Sequence, residues 1–313
     1  MALASVGLKE ISSLYSQKLT SNGIRINTSE ETFGELRSAN DCIGDAIELQ
    51  RRVAEDGYLL LRDFLDPELV LAARRAAVNL LAERGSIDRS APTMDAVAAK
   101  HISRKAVLGD LGALPEVGQL MHSDRMLSFY RTLRGGEIRV FDYIWGRMTP
   151  PGNCTRPHCD IVYMGRGTQN LLSTWVPLGN VPLEQGPLAI LEKSHLLPQL
   201  RSSYCQLDVD RDELWNKFRF KHGAFVREGK YSANPRAVQQ EFKRRWLTTG
   251  FRATDMLVFS PYLLHCSLDN VSNRIRLTAD TRYQLLSEPY DERWVGNPPV
   301  GHRNALWFLR NRN

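Results

Sequence analysis

From residue 138 onward the chain consists of short β-forming runs cut apart by glycine and proline, and this texture limits the fold more than any other feature. Residues 138–145, 171–176, 188–191, 255–259 and 275–285 are rich in β-branched, aromatic and large apolar side chains. Between them stand Pro150-Pro151-Gly152, Gly165 to Gly167, Gly179-Asn180 and Gln185-Gly186-Pro187, which supply turn backbone. Many short strands with such punctuation predict a two-sheet sandwich or jelly roll. Residues 200–250 interrupt the pattern. They are charged and helix-leaning, with Trp215, Phe218, Phe220 and Trp246 available for packing, and we read them as an insertion near the mouth of the sheets.

The first part of the chain has a different period. Ile43, Ala46, Ile47, Leu49 and Val53 recur at helical spacing over 41–56, and Gly57 can end that helix. A short buried strand is expected at 58–61. Asp66-Pro67-Glu68 then starts a helix: Asp caps, Pro suits the first turn, and Glu complements the dipole. It should run to Glu83, and another helix is expected over 117–133, closed by Gly135-Gly136. Residues 1–40 read as a partly ordered lead-in with a short helix. The expected layout is one domain over 1–313: a helical layer (1–135), a jelly-roll core (137–286) carrying the 200–250 insertion, and a C-terminal extension (287–313).

Within the strand-rich part, Arg156-Pro157-His158-Cys159-Asp160 carries the chemistry. On an extended strand His158 and Asp160 leave the same face, and Cys159 points away. With a second imidazole from elsewhere they form a two-His-one-carboxylate set, which occupies one face of an octahedral metal and leaves three positions open. His265 is the candidate third ligand. Arg276 is the candidate grip for a carboxylate, since a guanidinium makes a planar two-point contact that lysine reproduces poorly. Arg274, Arg276, Thr278, Asp280 and Arg282 share one face of the last strand, so Arg274 and Arg282 are rivals, with Arg282 read as Asp280-paired. His101, His122, His195, His222 and His302 are read as structural or surface residues.

Composition excludes several classes. No run approaches the ~18 apolar residues of a membrane span, and Lys9, Glu10 and Lys18 interrupt any signal-like block before Leu19. The five cysteines form no Cys-x-x-Cys pair, which argues against a thiolate zinc site or disulfide framework and predicts a reducing, cytoplasmic setting. Cys154, Cys159 and Cys266 near the ligands are read as packing residues. The net charge of +6 is dispersed, with one dense cluster at Lys243-Arg244-Arg245, and no nucleic-acid reader motif accompanies it. Attraction for anionic substrates is a secondary expectation.

Several segments, in order, resemble the phytanoyl-CoA dioxygenase family of Fe(II)/2-oxoglutarate-dependent oxygenases over roughly 57–286. They are EDGYLLLRDFLDPELV (55–70), RPHCDIVY (156–163), GPLAILEKSH (186–195) and ATDMLVFSPYLLHCSLDNVSNRIRLTADTRYQ (253–284). Glu192-Lys193 departs from the family's Pro-Gly. The resemblance implies a double-stranded β-helix, a jelly roll with iron near one open end. It also implies oxidative decarboxylation of 2-oxoglutarate to succinate and CO2, coupled through O2 to oxidation of a small-molecule substrate. Carried over by position, His158, Asp160 and His265 match the metal ligands and Arg276 the Arg that binds the distal carboxylate. Ser267 matches a residue that hydrogen-bonds that carboxylate, and Trp175 one that packs on the co-substrate. Some relatives have Gln where this chain has Cys159, so no co-substrate contact is carried over there. Related halogenases lack the carboxylate ligand, whereas Asp160 is present, which favours hydroxylation. Desaturation, epimerisation and rearrangement are further outcomes within the family. Tyr143, Trp145 and the 148–155 loop with Thr155 are the expected substrate lining. The alternatives are a non-catalytic binding protein on the same fold, and a cupin-like enzyme using another metal without 2-oxoglutarate. Neither nucleic acid nor membrane is an expected partner, and the oligomeric state is left open.

Overall fold

Two sheets carry the fold, and alternation along their strands decides what lies between them. The computed structural model describes residues 18–102, 111–210, 220–221, 224–225 and 229–302. In chain order the strands are β1 (Thr20–Ser21), β2 (Ile24–Arg25), β3 (Phe33–Glu35), β4 (Tyr58–Leu61), β5 (Ile138–Val140), β6 (Trp145–Thr149) and β7 (Leu172–Pro177). They continue with β8 (Leu188–Leu191), β9 (Phe220–Lys221), β10 (Ala224–Phe225), β11 (Trp246–Thr248), β12 (Met256–Phe259), β13 (His265–Ser267) and β14 (Arg276–Leu285). The smaller sheet has the order β13-β8-β11-β3, and the larger β4-β12-β7-β14-β5 with β6 also on β14. β1 with β2, and β9 with β10, form separate hairpins.

Successive side chains on a strand point to opposite faces. Leu188 and Ile190 of the smaller sheet therefore meet Tyr58, Leu60, Trp175, Leu257 and Phe259 of the larger one in a shared apolar cluster. The alternate residues of the larger sheet, among them Leu59, Val176, Val258, Leu277 and Ala279, turn outward under the helical layer. Those of the smaller sheet, Ala189, Leu191 and Cys266, pack outward with Phe33, Trp246 and Phe242. Each large side chain so buried contributes about 1.5–3 kcal/mol, which is why this register is strongly specified.

Local signals set the helices. Ala46–Asp56 is capped by Asp45, whose side chain accepts from the Glu48 amide, and ends at Gly57 with φ 81°. Pro67–Glu83 is capped by Asp66, which accepts from the amides of Glu68 and Leu69. The second helix follows the sequence reading; the first ends as expected but starts at Ala46 rather than at 41. The expected helix over 117–133 is instead two, Pro115–Met121 and Asp124–Arg134. Ser123 is extended (ψ 150°) and precedes Asp124, so a second helix start lies inside the apolar period. The run 138–145 likewise splits into β5 and the start of β6. Over 141–144 the backbone leaves the ladder because the Thr281 hydroxyl donates to the carbonyls of Phe141 and Tyr143, and the Tyr143 amide donates to Trp294.

Two boundaries differ from expectation. The lead-in and helical layer contribute edge strands, β3 to the smaller sheet and β4 to the larger. The presumed 200–250 insertion ends in β11, which pairs with both β8 and β3, so Trp246 is a strand residue of the sandwich. The expectations for residues 1–17, Trp215, Phe218, His222 and the chain beyond His302 lie outside the described residues. Among the described residues no helix is long and apolar enough to cross a membrane.

Candidate metal centre

The apolar filling between the sheets gives way at one end to polar side chains, all of them buried. On β14 the inward face reads Arg276, Thr278, Asp280 and Arg282, each at most 3% exposed. Four polar groups in succession inside a sandwich need partners, because an unpaired buried polar group costs about 1–3 kcal/mol. The strand register supplies one directly, the Thr149 hydroxyl accepting from Arg276, and sets the neighbours of the others. Thr149 lies opposite Arg276, Arg147 opposite Thr278, Trp175 opposite Asp280 and Ser173 opposite Arg282.

His158 and His265 are brought together by the backbone. The two residues exchange hydrogen bonds, each amide donating to the other's carbonyl at 2.9 Å. The sequence reading placed His158 and Asp160 on one extended strand. Only His158 is bridged that way; Asp160 has φ −66° and ψ −28° and begins the short helix Ile161–Met164. The chain turns between them because Cys159 is drawn into the apolar cluster outside the smaller sheet, where its thiol donates to the Tyr262 carbonyl. Cys159 and Cys266 are therefore packing residues, as expected.

The result still converges. His158, Asp160 and His265 each offer one ligand atom, all within 4.8 Å of one another. The imidazole Nδ1 of His158 lies 2.8 Å from the Arg156 carbonyl, and that of His265 lies 2.9 Å from the Leu263 carbonyl. A carbonyl can only accept, so Nδ1 carries the proton and Nε2 presents its lone pair to the centre. Burial lowers both imidazole pKa values, that of His158 to about 3, and keeps them in the neutral form a metal requires. Asp160 Oδ1 lies 3.6 Å and 3.7 Å from the two Nε2 atoms, too far for hydrogen bonds and suited to sharing one ion.

The other oxygen of Asp160 is already committed. Oδ2 accepts from Arg282 Nη2 at 2.7 Å and from Ser173 Oγ at 2.6 Å. Burial opposes its charge, but Arg282 and the Ser173 hydrogen bond outweigh it and hold the carboxyl well below its usual range. Arg282 also donates to Asp280, which accepts from Arg147 as well. The sequence reading paired Arg282 with Asp280 and missed its bond to Asp160, 122 residues away.

Arg276 is fully inside, with one nitrogen on Thr149 Oγ1 at 2.8 Å and its Nε and Nη1 without a partner. Burial and the neighbouring Arg147 lower its pKa to about 10. A buried guanidinium with free donors is matched by a carboxylate, which is doubly hydrogen-bonded and charge-neutralising. Arg276, Ser267, Trp175 and Thr155 line one cavity with the three candidate ligands. Ser267 Oγ accepts from the Thr155 amide at 2.8 Å, leaving its hydroxyl proton to donate into that space. Trp175 is fixed edge-on to Phe251.

The expected substrate lining is divided. Trp145 and Thr155 border a second cavity beside His158 and Asp160. Tyr143 does not; it packs against Trp145 and Trp294 and lines a neighbouring cavity. Of the remaining described histidines, His195 accounts for itself structurally, its Nε2 lying 3.0 Å from the Ala54 carbonyl. His302 is held by an acidic partner, its Nδ1 lying 2.8 Å from Asp210 Oδ2, a pairing that no local spacing could reveal.

A phytanoyl-CoA dioxygenase family model matches residues 53–278. Among solved structures, apo EctD from S. alaskensis is similar with a TM-score of 0.56 and 19% identity, covering 93% of this chain and 93% of that one. The non-haem α-ketoglutarate-dependent carbocyclase SnoK from nogalamycin biosynthesis has a TM-score of 0.53 and 19% identity over 78% of this chain and 85% of its own. The epimerase SnoN from the same biosynthesis has a TM-score of 0.52 and 19% identity over 79% and 85%. SnoN has also been solved with Fe3+, α-ketoglutarate and nogalamycin RO, and EctD with 2-oxoglutarate and 5-hydroxyectoine. At these identities the likeness is one of fold.

Proposed function

This chain belongs to the phytanoyl-CoA dioxygenase family, and from that premise we propose that it is an Fe(II)- and 2-oxoglutarate-dependent oxygenase. In this reading it hydroxylates a small-molecule metabolite, with release of succinate and CO2, as one cytoplasmic domain. Its two sheets are then the double-stranded β-helix of the family, and the five free cysteines fit a reducing compartment.

The observation that carries the proposal is the placement of Arg276. It is a buried guanidinium with two unpartnered nitrogens, in the same cavity as a neutral imidazole pair and a carboxylate oxygen. The donor set suits iron: two imidazole nitrogens and one carboxylate oxygen leave coordination positions open. His158 and His265 would bind through Nε2 and Asp160 through Oδ1. When bound, Fe(II) supplies the activation of dioxygen, coupled to oxidative decarboxylation of the 2-oxo acid. The chain's own residues do the rest. Arg276 and Ser267 hold the distal carboxylate of 2-oxoglutarate, Trp175 walls the cavity, and Arg282 with Ser173 keeps Asp160 turned toward the ion. Asp160 itself favours oxygenation over halogenation, because its carboxylate occupies a position a halide would otherwise take.

An anaerobic titration of apo-protein with Fe(II) and then 2-oxoglutarate, followed in the visible, tests this. A weak charge-transfer band that needs both additions is expected. Iron binding without any band on adding 2-oxoglutarate would overturn the co-substrate assignment. No iron binding would leave a non-catalytic protein on the same fold.

A further inference from the structure

We propose that His302 is a substrate-binding residue, holding a substrate hydroxyl through its Nε2 in the cavity beside the metal ligands. The proposal rests on the oxygenase reading above and extends it to a substrate class, a small molecule that bears an alcohol. A cavity of about 510 Å3 borders His158 and Asp160, and His302 lies on its wall. The size suits small-molecule ligands. Tyr163 is edge-on to the imidazoles of both His158 and His302, with ring centroids 5.8 Å and 6.0 Å away. One aromatic ring therefore touches both a candidate metal ligand and the proposed substrate residue.

The imidazole is held in one orientation. Its Nδ1 lies 2.8 Å from Asp210 Oδ2, an oxygen that also accepts from Arg293 Nη1 at 2.6 Å. Such a carboxylate oxygen can only accept, so Nδ1 carries a proton in either charge state of the ring. Asp210 is fixed in turn, its amide donating to Asp208 Oδ1 at 2.8 Å. Asp291 completes Arg293, and Arg166 completes Asp208. Asp208, Asp210, Asp291 and Arg293 are each more than nine-tenths buried. The Val209 amide donates to the Val162 carbonyl at 3.0 Å, which anchors the acidic segment on the short helix that Asp160 begins. The Gly301 amide donates to the Arg293 carbonyl at 2.7 Å and closes the loop that presents His302. Trp294 packs edge-on against the ring at 4.7 Å. A buried ionic network is costly to assemble, and what this one holds at the cavity wall is a single imidazole. Among the described residues no hydrogen-bond partner meets its Nε2, and the side chain remains 30% exposed. A hydroxyl satisfies that nitrogen in either charge state, donating to the neutral ring and accepting from the charged one. A carboxylate could use only the charged ring, and an ammonium only the neutral one. The rings of Trp145 and Tyr163 line the same cavity and offer apolar walls for the body of the substrate.

Saturation-transfer NMR on the full-length, metal-free chain tests this, with 2-oxoglutarate in excess to occupy Arg276. The probes are 3-phenylpropan-1-ol and its methyl ether, which share an apolar body and differ in the O–H. The alcohol should bind more tightly than the ether by about two- to tenfold, the range of one hydrogen bond. His302→Asn keeps an amide nitrogen for Asp210 near the Nδ1 position and removes Nε2, so it should abolish that preference. His302→Gln returns a polar group near the Nε2 position and should restore part of it. A purely structural role for the Asp210 contact predicts instead that His302→Asn changes nothing. His302→Phe, which retains a ring against Trp294, keeps the test available if His302→Asn does not fold. Equal binding of alcohol and ether, or no binding of either, overturns the proposal. So does an undiminished preference in His302→Asn or His302→Phe, or a preference in His302→Gln no larger than in His302→Asn. Failure of the oxygenase reading shows separately, as a missing visible band in the iron titration, because the alcohol assay needs no metal.

Discussion

Asp160 uses its two oxygens for different purposes. Oδ2 is taken by Arg282 and Ser173, so only Oδ1 faces the imidazoles. A carboxylate divided in this way binds an ion through one oxygen and leaves coordination positions for other ligands. Replacing Arg282 with Met should lower Fe(II) or Mn(II) affinity by about 10- to 100-fold, read by anaerobic isothermal titration. Unchanged affinity would mean that Ser173 alone holds the carboxylate. At Arg276 the expected effect is separable. Arg276→Ala should leave metal affinity intact and weaken 2-oxoglutarate by about 10- to 100-fold, the loss of a charge-assisted contact of about 1.5–3 kcal/mol. Equal 2-oxoglutarate affinity in that variant would remove Arg276 from the site. The candidate ligands and this Arg could be picked out in the sequence because each stands in a short ordered motif. Arg147 and Ser173 could not, and for Arg282 only the pairing with Asp280 could, because nothing within a few residues indicates that it also faces Asp160.

At the level of elements, helix Ala46–Asp56 meets the segment that follows β8 at His195. Gly57 ends the helix with φ 81°, and a Cβ there would lie 2.5 Å from His195 Nδ1. Gly57→Ala should therefore destabilise by more than the ~1–2 kcal/mol of a left-handed backbone alone, measured by urea unfolding. A smaller loss would mean that the His195 ring moves freely. His195 is buried with its Nε2 on the Ala54 carbonyl, and burial lowers its pKa below the ordinary value of 6.5. The unfolded chain therefore binds the proton more readily than the folded one. The stability this confers is present above about pH 6.5 and is lost as pH falls through and below that value. His195→Asn should flatten that part of the stability profile between about pH 7 and pH 5; an identical slope would exclude His195 as its source. The helix start at Asp66 and the stop at Gly57 were readable because caps are local hydrogen bonds. The breaks at Ser123 and over 141–144 were not equally visible. The second depends on Thr281, which lies 140 residues from Phe141.

The whole molecule is a sandwich whose interior is apolar at one end and ionisable at the other. The polar end contains an Arg with two unpartnered nitrogens and the three candidate ligand groups. Ligands that bind only the folded state stabilise it, by about 2.7 kcal/mol at a hundredfold excess over Kd. Mn(II) with 2-oxoglutarate should thus raise Tm by several degrees, about 2–4 °C per kcal/mol for a large domain. Asp160→Ala should abolish most of the gain. A shift of equal size in that variant would place the binding elsewhere.

The sequence by itself determined the strand-rich class, the caps and turns, and three metal-ligand candidates with their Arg. These depend on alternation, on capping chemistry and on motifs a few residues long, all of which are local. Tertiary structure decided the rest. The Asp160–Arg282 bond spans 122 residues and the His158–His265 pairing 107, because register across sheets sets which buried charges meet. Burial then made those meetings obligatory: an ion or guanidinium removed from water must find its partner wherever the fold brings one.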